Sequence, residues 1–358
     1  MNKSLVQSTK LKKVLMHARN VRAQHGIPIV RQFVELSYLF LTRRFGPQLY
    51  YMLSLWRPEL TMADKRAFFN PVEYYEWIHR ANPERYSVFG LNKLAEKALL
   101  SLLRIPTGTF VGFYKSIGGR DCEGNALCNT SQLQALLASR VGTKLCIKDP
   151  ESAQGNRILF AHLIQKDDEQ VIVDTLISGV PPVPLRGFIA NDLEPDRHKG
   201  WLIEEYVQQH DMLAALHPNS LNTLRLVLLK SESRVEVLTA ILRLGRSGSP
   251  VDNISQGGLL AEIDIETGFT TCLRTGADVP EYLERHPDTG AEVVGIEIPH
   301  WAQAVELSKA TLEAVPGLRY AGIDIAVTQL GALVIEINSE PDFVSTRNFA
   351  VPSSRILQ

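Results

Sequence analysis

The chain has 358 residues, 45% of them hydrophobic and 22% charged, with a formal net charge of −1 at neutral pH. That length allows two or three domains with a sizeable core, and near-neutrality removes any global electrostatic case for nucleic acid or an anionic membrane as partner. Cys122, Cys128, Cys146 and Cys272 lack the paired CxxC spacing of a zinc site and suit free thiols in a reduced cytosol. The first ten residues precede no apolar core of signal-peptide type and no run is long enough to span a bilayer, so a cytoplasmic location is expected.

Residues 1–85 read as mostly helical. Val30–Trp56 carries apolar Phe33, Leu36, Leu39, Phe40, Tyr50, Met52, Leu53 and Leu55, interrupted by Arg43-Arg44 and Gly46-Pro47, which predicts a helix, a break and a second helix. An aromatic and basic helical pair can rest on a membrane, but this composition more often belongs to a packed helical subdomain, and membrane contact is not expected.

From Leu91 the character changes. A helix is predicted over Asn92–Leu103, its apolar face including Leu94, Leu99, Leu102 and Leu103, and another over Gln132–Ser139, capped by Thr130 or Ser131. Strands are predicted at Phe110–Tyr114, Lys144–Lys148, Ile158–Leu163, Val171–Leu176, Trp201–Val207, Leu224–Leu229, Val235–Leu244 and Leu259–Ile265, and a late helix at Trp301–Ala314. The class is α+β, strand-rich lobes behind a helical N-terminal region.

Two β-rich runs near the C-terminus, Ala321–Thr328 and Ala332–Asn338, flank Gln329-Leu330-Gly331 as a hairpin. Folded symmetrically about Leu330, it sets Asp324 opposite Glu336, with Asn338 on the same face. Ile323, Ile325 and Val327 against Leu333, Ile335 and Ile337 form the apolar face. Facing carboxylates repel unless a cation lies between them, and hard ions such as Mg²⁺ or Mn²⁺ prefer such oxygen ligands. Neutralising Glu336 is then expected to raise stability in the absence of metal. A solvated hairpin with polar residues outward is the alternative.

Lys148 closes an apolar strand and opens a loop with Ser152, Gln154 and Gly155 that suits phosphate, although lysine at a strand end is commonly just solvated. Lys97 alone reads as a surface residue, and Ile203-Glu-Glu-Tyr-Val-Gln-Gln-His-Asp211 as an edge strand or as a turn offering backbone polar groups and a carboxylate to a purine nucleoside. Arg225, among Leu224, Leu226 and Leu228, calls for an anion or carboxylate partner if buried.

The order of these features resembles the ATP-grasp superfamily. The phrasing of His217-Pro-Asn-Ser-Leu-Asn-Thr-Leu-Arg225, Asp252-Asn-Ile-Ser-Gln-Gly-Gly258, Gly322-Ile-Asp324 and Glu336-Ile-Asn-Ser-Glu-Pro341 resembles its sugar-transfer-associated branch, over roughly 91–343. The resemblance implies an ATP-grasp fold, two strand-rich lobes clamping ATP: residues 1–85 a helical subdomain, 86–202 the N-lobe with its phosphate loop, and 203–358 the C-lobe with the metal site. It implies that Lys97 and Lys148 bind nucleotide phosphates, with Asn92 a departure from an Asp-Lys-x-x-x-Lys pattern. On the same resemblance Glu204, Glu205 and Val207 would form the adenine hinge and Asp211 would hold the ribose. Asp324, Glu336 and Asn338 would hold Mg²⁺, with Mn²⁺ an alternative. Arg225 and Arg243 would stabilise the transferred phosphoryl group, and Asn222 and Asn253 would help shape that pocket. The implied activity is ligation of a small-molecule carboxylate to an amine or other nucleophile through an acylphosphate. The partners expected are those small molecules, with a homodimer allowed and no nucleic acid. A small-acceptor kinase and a nucleotide-binding module without turnover are the alternatives.

Overall fold

A computed structural model describes residues 3–152, 157–166, 170–177, 179–249, 251–254, 257–277 and 280–357, with side chains from residue 12 onward. Gln154 and Gly155 of the expected phosphate loop lie outside the described residues. The chain divides into two compact units: Met1–Ala81 with Gly276–Tyr282 and Pro341–Gln358, and Asn82–Thr275 with Leu283–Glu340.

The first unit is helical, with helices Lys3–His25, Ile29–Arg43, Pro47–Met52, Met62–Arg66 and Pro71–Ala81. The break predicted near Gly46-Pro47 lies between the second and third. Its interior is not purely apolar: Glu35 is buried and accepts from Lys65 Nζ at 2.6 Å, Tyr50 Oη at 2.7 Å and Arg31 Nε at 2.9 Å. Three donors make that charge tolerable in a low-dielectric setting. The C-terminal segment is held by this unit's early helices, through Tyr74 Oη to the Pro341 carbonyl at 2.9 Å and Arg355 to Asp64 at 2.7 Å. Phe40, expected among the packed apolar residues, is exposed. No helix among the described residues is long and apolar enough to cross a membrane.

The strands form two sheets. The first contains β1 (Phe110–Tyr114), β2 (Arg120–Asp121), β3 (Lys144–Lys148), β4 (Ile158–Lys166), β5 (Gln170–Asp174), β6 (Val183–Pro184) and β7 (Trp201–Glu205), in the order β2-β1-β7-β3-β4-β5-β6. The second contains β8 (Leu224–Lys230), β9 (Val235–Leu244), β10 (Leu259–Ile263), β11 (Thr270–Thr275), β12 (Tyr282–Leu283), β13 (Tyr320–Thr328) and β14 (Gly331–Asn338), in the order β12-β11-β10-β9-β8-β13-β14. Both are antiparallel wherever their pairing is described. The first core packs Leu145, Ile147, Ala161 and Ile203 against Leu133 and Leu137 of helix Thr130–Ala138. That helix is capped by Asn129, whose Oδ1 accepts from Gln132 N at 3.0 Å, in place of the expected Thr130 or Ser131. The second core packs Leu226, Leu228, Ile323 and Ile325 against Ala304 and Leu312 of helix Trp301–Ala314. It also takes Leu100 from helix Lys93–Leu102, while Leu102 and Leu103, expected on that helix's apolar face, are exposed.

The C-terminal hairpin sets Asp324 opposite Glu336, by a different route from a symmetric turn. Thr328 pairs with Gly331 and Ile325 with Val334, a tight two-residue turn; the register then shifts by one, so that Asp324 pairs with Glu336. Gly331 holds φ +132° at the turn, a conformation that suits glycine. The extra residue is Ile335, a β-bulge. Because a one-residue shift exchanges faces, the buried partners on β14 are Ala332, Val334 and Ile337, and the expected Leu333 and Ile335 are only half-buried.

Candidate active site

Two groups of charged side chains occupy the second unit. The first is built on the pairing of β3 with β7, in which Cys146 faces Glu204 and Lys148 faces Leu202. Glu204 is buried and receives Lys148 Nζ at 2.7 Å and also Lys97 Nζ. Lys97 comes from helix Lys93–Leu102 and further donates to Thr107 Oγ1 at 2.7 Å and the Gly108 carbonyl at 2.8 Å. Asn92 starts that helix, its Oδ1 accepting from Leu94 N at 3.1 Å and Ala95 N at 3.0 Å; an amide oxygen there does the capping work of a carboxylate. Burial would push Glu204 up, but Lys148 and Lys97 outweigh it and hold its carboxyl below the usual range. Burial likewise opposes the charge on Lys148, and Glu204 overcomes it, leaving that ammonium harder to deprotonate than usual.

The second group is a row across four strands. Arg225 on β8 pairs with Ile241 on β9 and with Asp324 on β13, which pairs with Glu336 on β14. Arg243, two residues beyond Ile241, shares its face. The guanidinium of Arg225 grips Asp324 with two hydrogen bonds, Nη2 to Oδ2 at 2.8 Å and Nε to Oδ1. Arg243 Nη2 lies 3.0 Å from Asp324 Oδ2 and 3.3 Å from Asp252 Oδ1, and donates to Thr223 Oγ1 at 2.9 Å. Burial works to raise the Asp324 pKa, but the two arginines prevail and hold it low, helped by the Asn338 amide. Asp252 goes the other way: burial raises its carboxyl despite Arg243 and Thr223. Gly322 makes room for this geometry, since a Cβ there would lie 2.9 Å from Arg225 Cδ.

Each member of the facing pair has its own side-chain cation: Arg225 and Arg243 hold Asp324, and Lys93 Nζ lies 3.2 Å from Glu336 Oε1. Lys93 also donates to the Ser152 carbonyl. The two groups feel one another, because Glu336 favours the charged forms of both Lys148 and Arg243.

Other expected residues stand apart. Asn222 is wholly buried and spends its amide on the scaffold: Nδ2 donates to Gln209 Oε1 at 3.0 Å and the His217 carbonyl at 2.8 Å, and Oδ1 accepts from Ser220 Oγ at 2.9 Å. Glu205 is exposed, 3.5 Å from Arg140. Val207 is half-buried, and Asp211 is exposed at the start of the short helix Asp211–Leu216. The Asn253 carbonyl accepts from Gly258 N at 3.1 Å.

Sequence reasoning passed over Lys93, Glu96 and Asp252 as functional residues. Lys93 stands four positions before Lys97, a spacing that puts both on one helix face. Glu96 is buried, and its carboxyl is pushed well above the usual range by burial and then by Glu336, against the Ile337 N–H that donates to it.

Both groups thus stand on the two seven-stranded sheets, one on each. A model of the family described as sugar-transfer associated ATP-grasp matches residues 75–350, and the chain belongs to that family. Among solved structures it is similar to D-alanyl-alanine synthetase A from Vibrio cholerae (12% identity over 77% of this chain and 65% of that chain, TM-score 0.43). It is also similar to carboxyaminoimidazole ribonucleotide synthase from Aspergillus clavatus complexed with ATP (11%, 76% and 56%, TM-score 0.43). A third is D-alanine–D-alanine ligase from Bacillus anthracis (14%, 77% and 64%, TM-score 0.39). The chain spans less than two thirds of the length of each of these. No curated protein matches it.

Among the described residues, no group of three or more His, Cys, Asp and Glu side chains is placed to hold a metal. Asp324, Glu336 and Asn338 are nevertheless an all-oxygen donor set on adjoining register positions, which fits a hard divalent cation. Asp324 is the constrained member, with both oxygens accepting from guanidinium groups.

Proposed function

We propose that the protein is an ATP-dependent, ADP-forming ligase that activates a carboxylate as an acylphosphate and joins it to an amine or other nucleophile. The observation that supports this best is the row Arg243, Arg225, Asp324 and Glu336, lying within electrostatic reach of Lys148. In the first step a carboxylate oxygen attacks the γ-phosphorus of ATP and the bond to the bridging oxygen breaks, so that ADP leaves. In the second, an amine attacks the acyl carbon, inorganic phosphate departs, and the amine gives up a proton to solvent. Such chemistry asks the protein for positioning and charge rather than a covalent intermediate.

Lys148 and Lys97 would meet nucleotide phosphates in place of part of their bonding to Glu204. Arg225 and Arg243 would turn toward the transferred phosphoryl group. Glu336 and Asn338, joined by Asp324 as a guanidinium leaves it, would hold Mg²⁺, which when bound neutralises phosphate charge. Glu205, Val207 and Asp211, at and beyond the end of β7, would receive the nucleoside, with Asn253 near the phosphoryl end and Asn222 fixing the loop before β8. ADP release over a panel of small carboxylates and amines, with mass spectrometry of the products, tests the reading. A coupled carboxylate–amine product supports it. ADP with only a phosphorylated acceptor makes the protein a kinase, and nucleotide binding without any ADP release overturns the enzymatic assignment.

A further inference from the structure

Helix Ile29–Arg43 has two apolar faces. The inner one packs through Leu39 beside Gln32 and Glu35. The outer one carries Val30, Val34, Tyr38 and Leu41, which are 75%, 64%, 41% and 74% exposed. At 100° per residue these four fall within about a quarter of the helix circumference, opposite Leu39. Single exposed apolar residues need no explanation, but a contiguous stripe does.

The charge around the stripe says what covers it. The first 44 residues contain nine Lys and Arg and a single acid, Glu35, in a chain whose overall charge is only −1. Glu35 is buried and neutralised by Lys65 and Arg31, so the outer face of the helix presents no negative charge. Cations border it instead: Arg66 Nη1 lies 3.5 Å from Tyr38 Oη, and the Arg44 guanidinium stands over the Phe40 ring at 5.8 Å. Lys12, Lys13, Arg19 and Arg22 on the preceding helix are all exposed.

We infer that this face is a docking surface for an anionic bilayer, on which helix Ile29–Arg43 lies in the interface with its aliphatic stripe among the acyl chains and the bordering Arg44 and Arg66 at the phosphates. Aliphatic residues with a tyrosine at their edge and basic residues outside them are the composition of an interfacial helix. Each cation near an anionic surface adds to the attraction, and salt screens it. A second copy of the chain would bring the same cations face to face, which opposes self-association through this surface. The helix lies on the membrane and does not cross it, in keeping with its 15 residues. The inference revises the expectation of no membrane contact and is independent of the proposed ligase activity.

The test is co-sedimentation of the full chain with vesicles of phosphatidylcholine alone and of phosphatidylcholine with phosphatidylglycerol, at low and high salt. Wild type is expected to bind the anionic vesicles at least about tenfold better than the neutral ones, with the advantage lost at high salt. The double substitution Val34→Glu/Leu41→Glu, at positions exposed enough to leave folding untouched, is expected to weaken that binding about tenfold or more. Absence of binding to anionic vesicles, equal binding to both, or unchanged binding by the folded double variant each overturns the inference. So does sedimentation showing a dimer in wild type that the same double substitution dissolves, which would assign the stripe to a second copy.

Discussion

Glu336 faces Asp324 because Ile335 is bulged out of β14. A flush continuation of the two-residue turn would have set Ile335 opposite Asp324 and turned Glu336 to the other side of the sheet. The bulge completes a row in which two arginines precede two carboxylates.

Glu336→Gln is expected to lower the rate of ADP release by about a hundredfold or more, as loss of a preorganised charge in such a site does, while leaving the melting temperature nearly unchanged without metal. The stabilisation expected from sequence alone does not apply: Arg225 and Arg243 already hold Asp324, and Glu336 has Lys93 at 3.2 Å. Melting curves beside an ADP-release assay check both halves. A variant that turns over at the wild-type rate removes Glu336 from the site.

Lys148→Ala is expected to weaken ATP binding and, unlike a change at a solvated strand end, to destabilise the fold. It leaves buried Glu204 with Lys97 as its remaining cation. The cost is roughly 2–3 kcal/mol, less than for an orphaned buried charge because Lys97 stays. The triple variant Lys97→Met/Lys148→Met/Glu204→Gln, which leaves none of the three charges orphaned, should recover much of that stability without recovering nucleotide affinity. Denaturant titration and calorimetry separate the two effects.

Glu96→Gln should stabilise the protein near neutral pH and do little at acidic pH. Below the ordinary glutamate range, folded and unfolded chains both hold the proton. As the pH rises the unfolded chain ionises first, so wild type loses stability until the raised folded pKa of Glu96 is passed. A gain of roughly 2–5 °C in Tm at pH 7.5, shrinking toward pH 4, is the expected pattern. Asp324 and Glu204 act with the opposite sign: held low, they contribute stability above the usual carboxylate range and lose it as the pH falls through their depressed values. A pH-independent effect of Glu96→Gln would show that the carboxyl is not held protonated.

Gly322→Ala is expected to cost about 1–3 kcal/mol and to lower activity, because the new methyl group would press on Arg225 Cδ and lift its guanidinium from Asp324. Arg225→Lys in the same background replaces the planar fork with a single ammonium; its stem keeps the Cδ but is no longer pinned to Asp324 by two bonds, so it can swing clear and relieve the strain without restoring activity. Urea titration with the ADP-release assay reads both.

How much of this was legible in the sequence differs by residue. Most strands could be read to within two residues, because alternation and β-branching are local signals; so could Lys148 at the end of its strand and the opposition of Asp324 and Glu336. The apolar face of β14 was misread because turn length and bulge each shift the register, and the two shifts cancel at Glu336 but not at Leu333 or Ile335. Asn222 looked like a pocket residue, yet its amide is consumed by a loop that bends back on itself, and its partners Gln209 and His217 lie in segments whose approach no periodicity reveals. Glu204 was read as a hinge residue. Its role as shared counter-charge depends on Lys97, 107 positions earlier, a proximity only the folded chain creates.

That sharing has a mechanical side. Lys148 and Glu204 stand on the first sheet, but Lys97 rides on a helix anchored through Leu100 in the core of the second. The two cores therefore cannot draw apart without stripping a buried carboxylate of half its neutralisation, which gives the joint between them an electrostatic detent. An anion that reached Lys97 would offer the ammonium another partner and so loosen that detent.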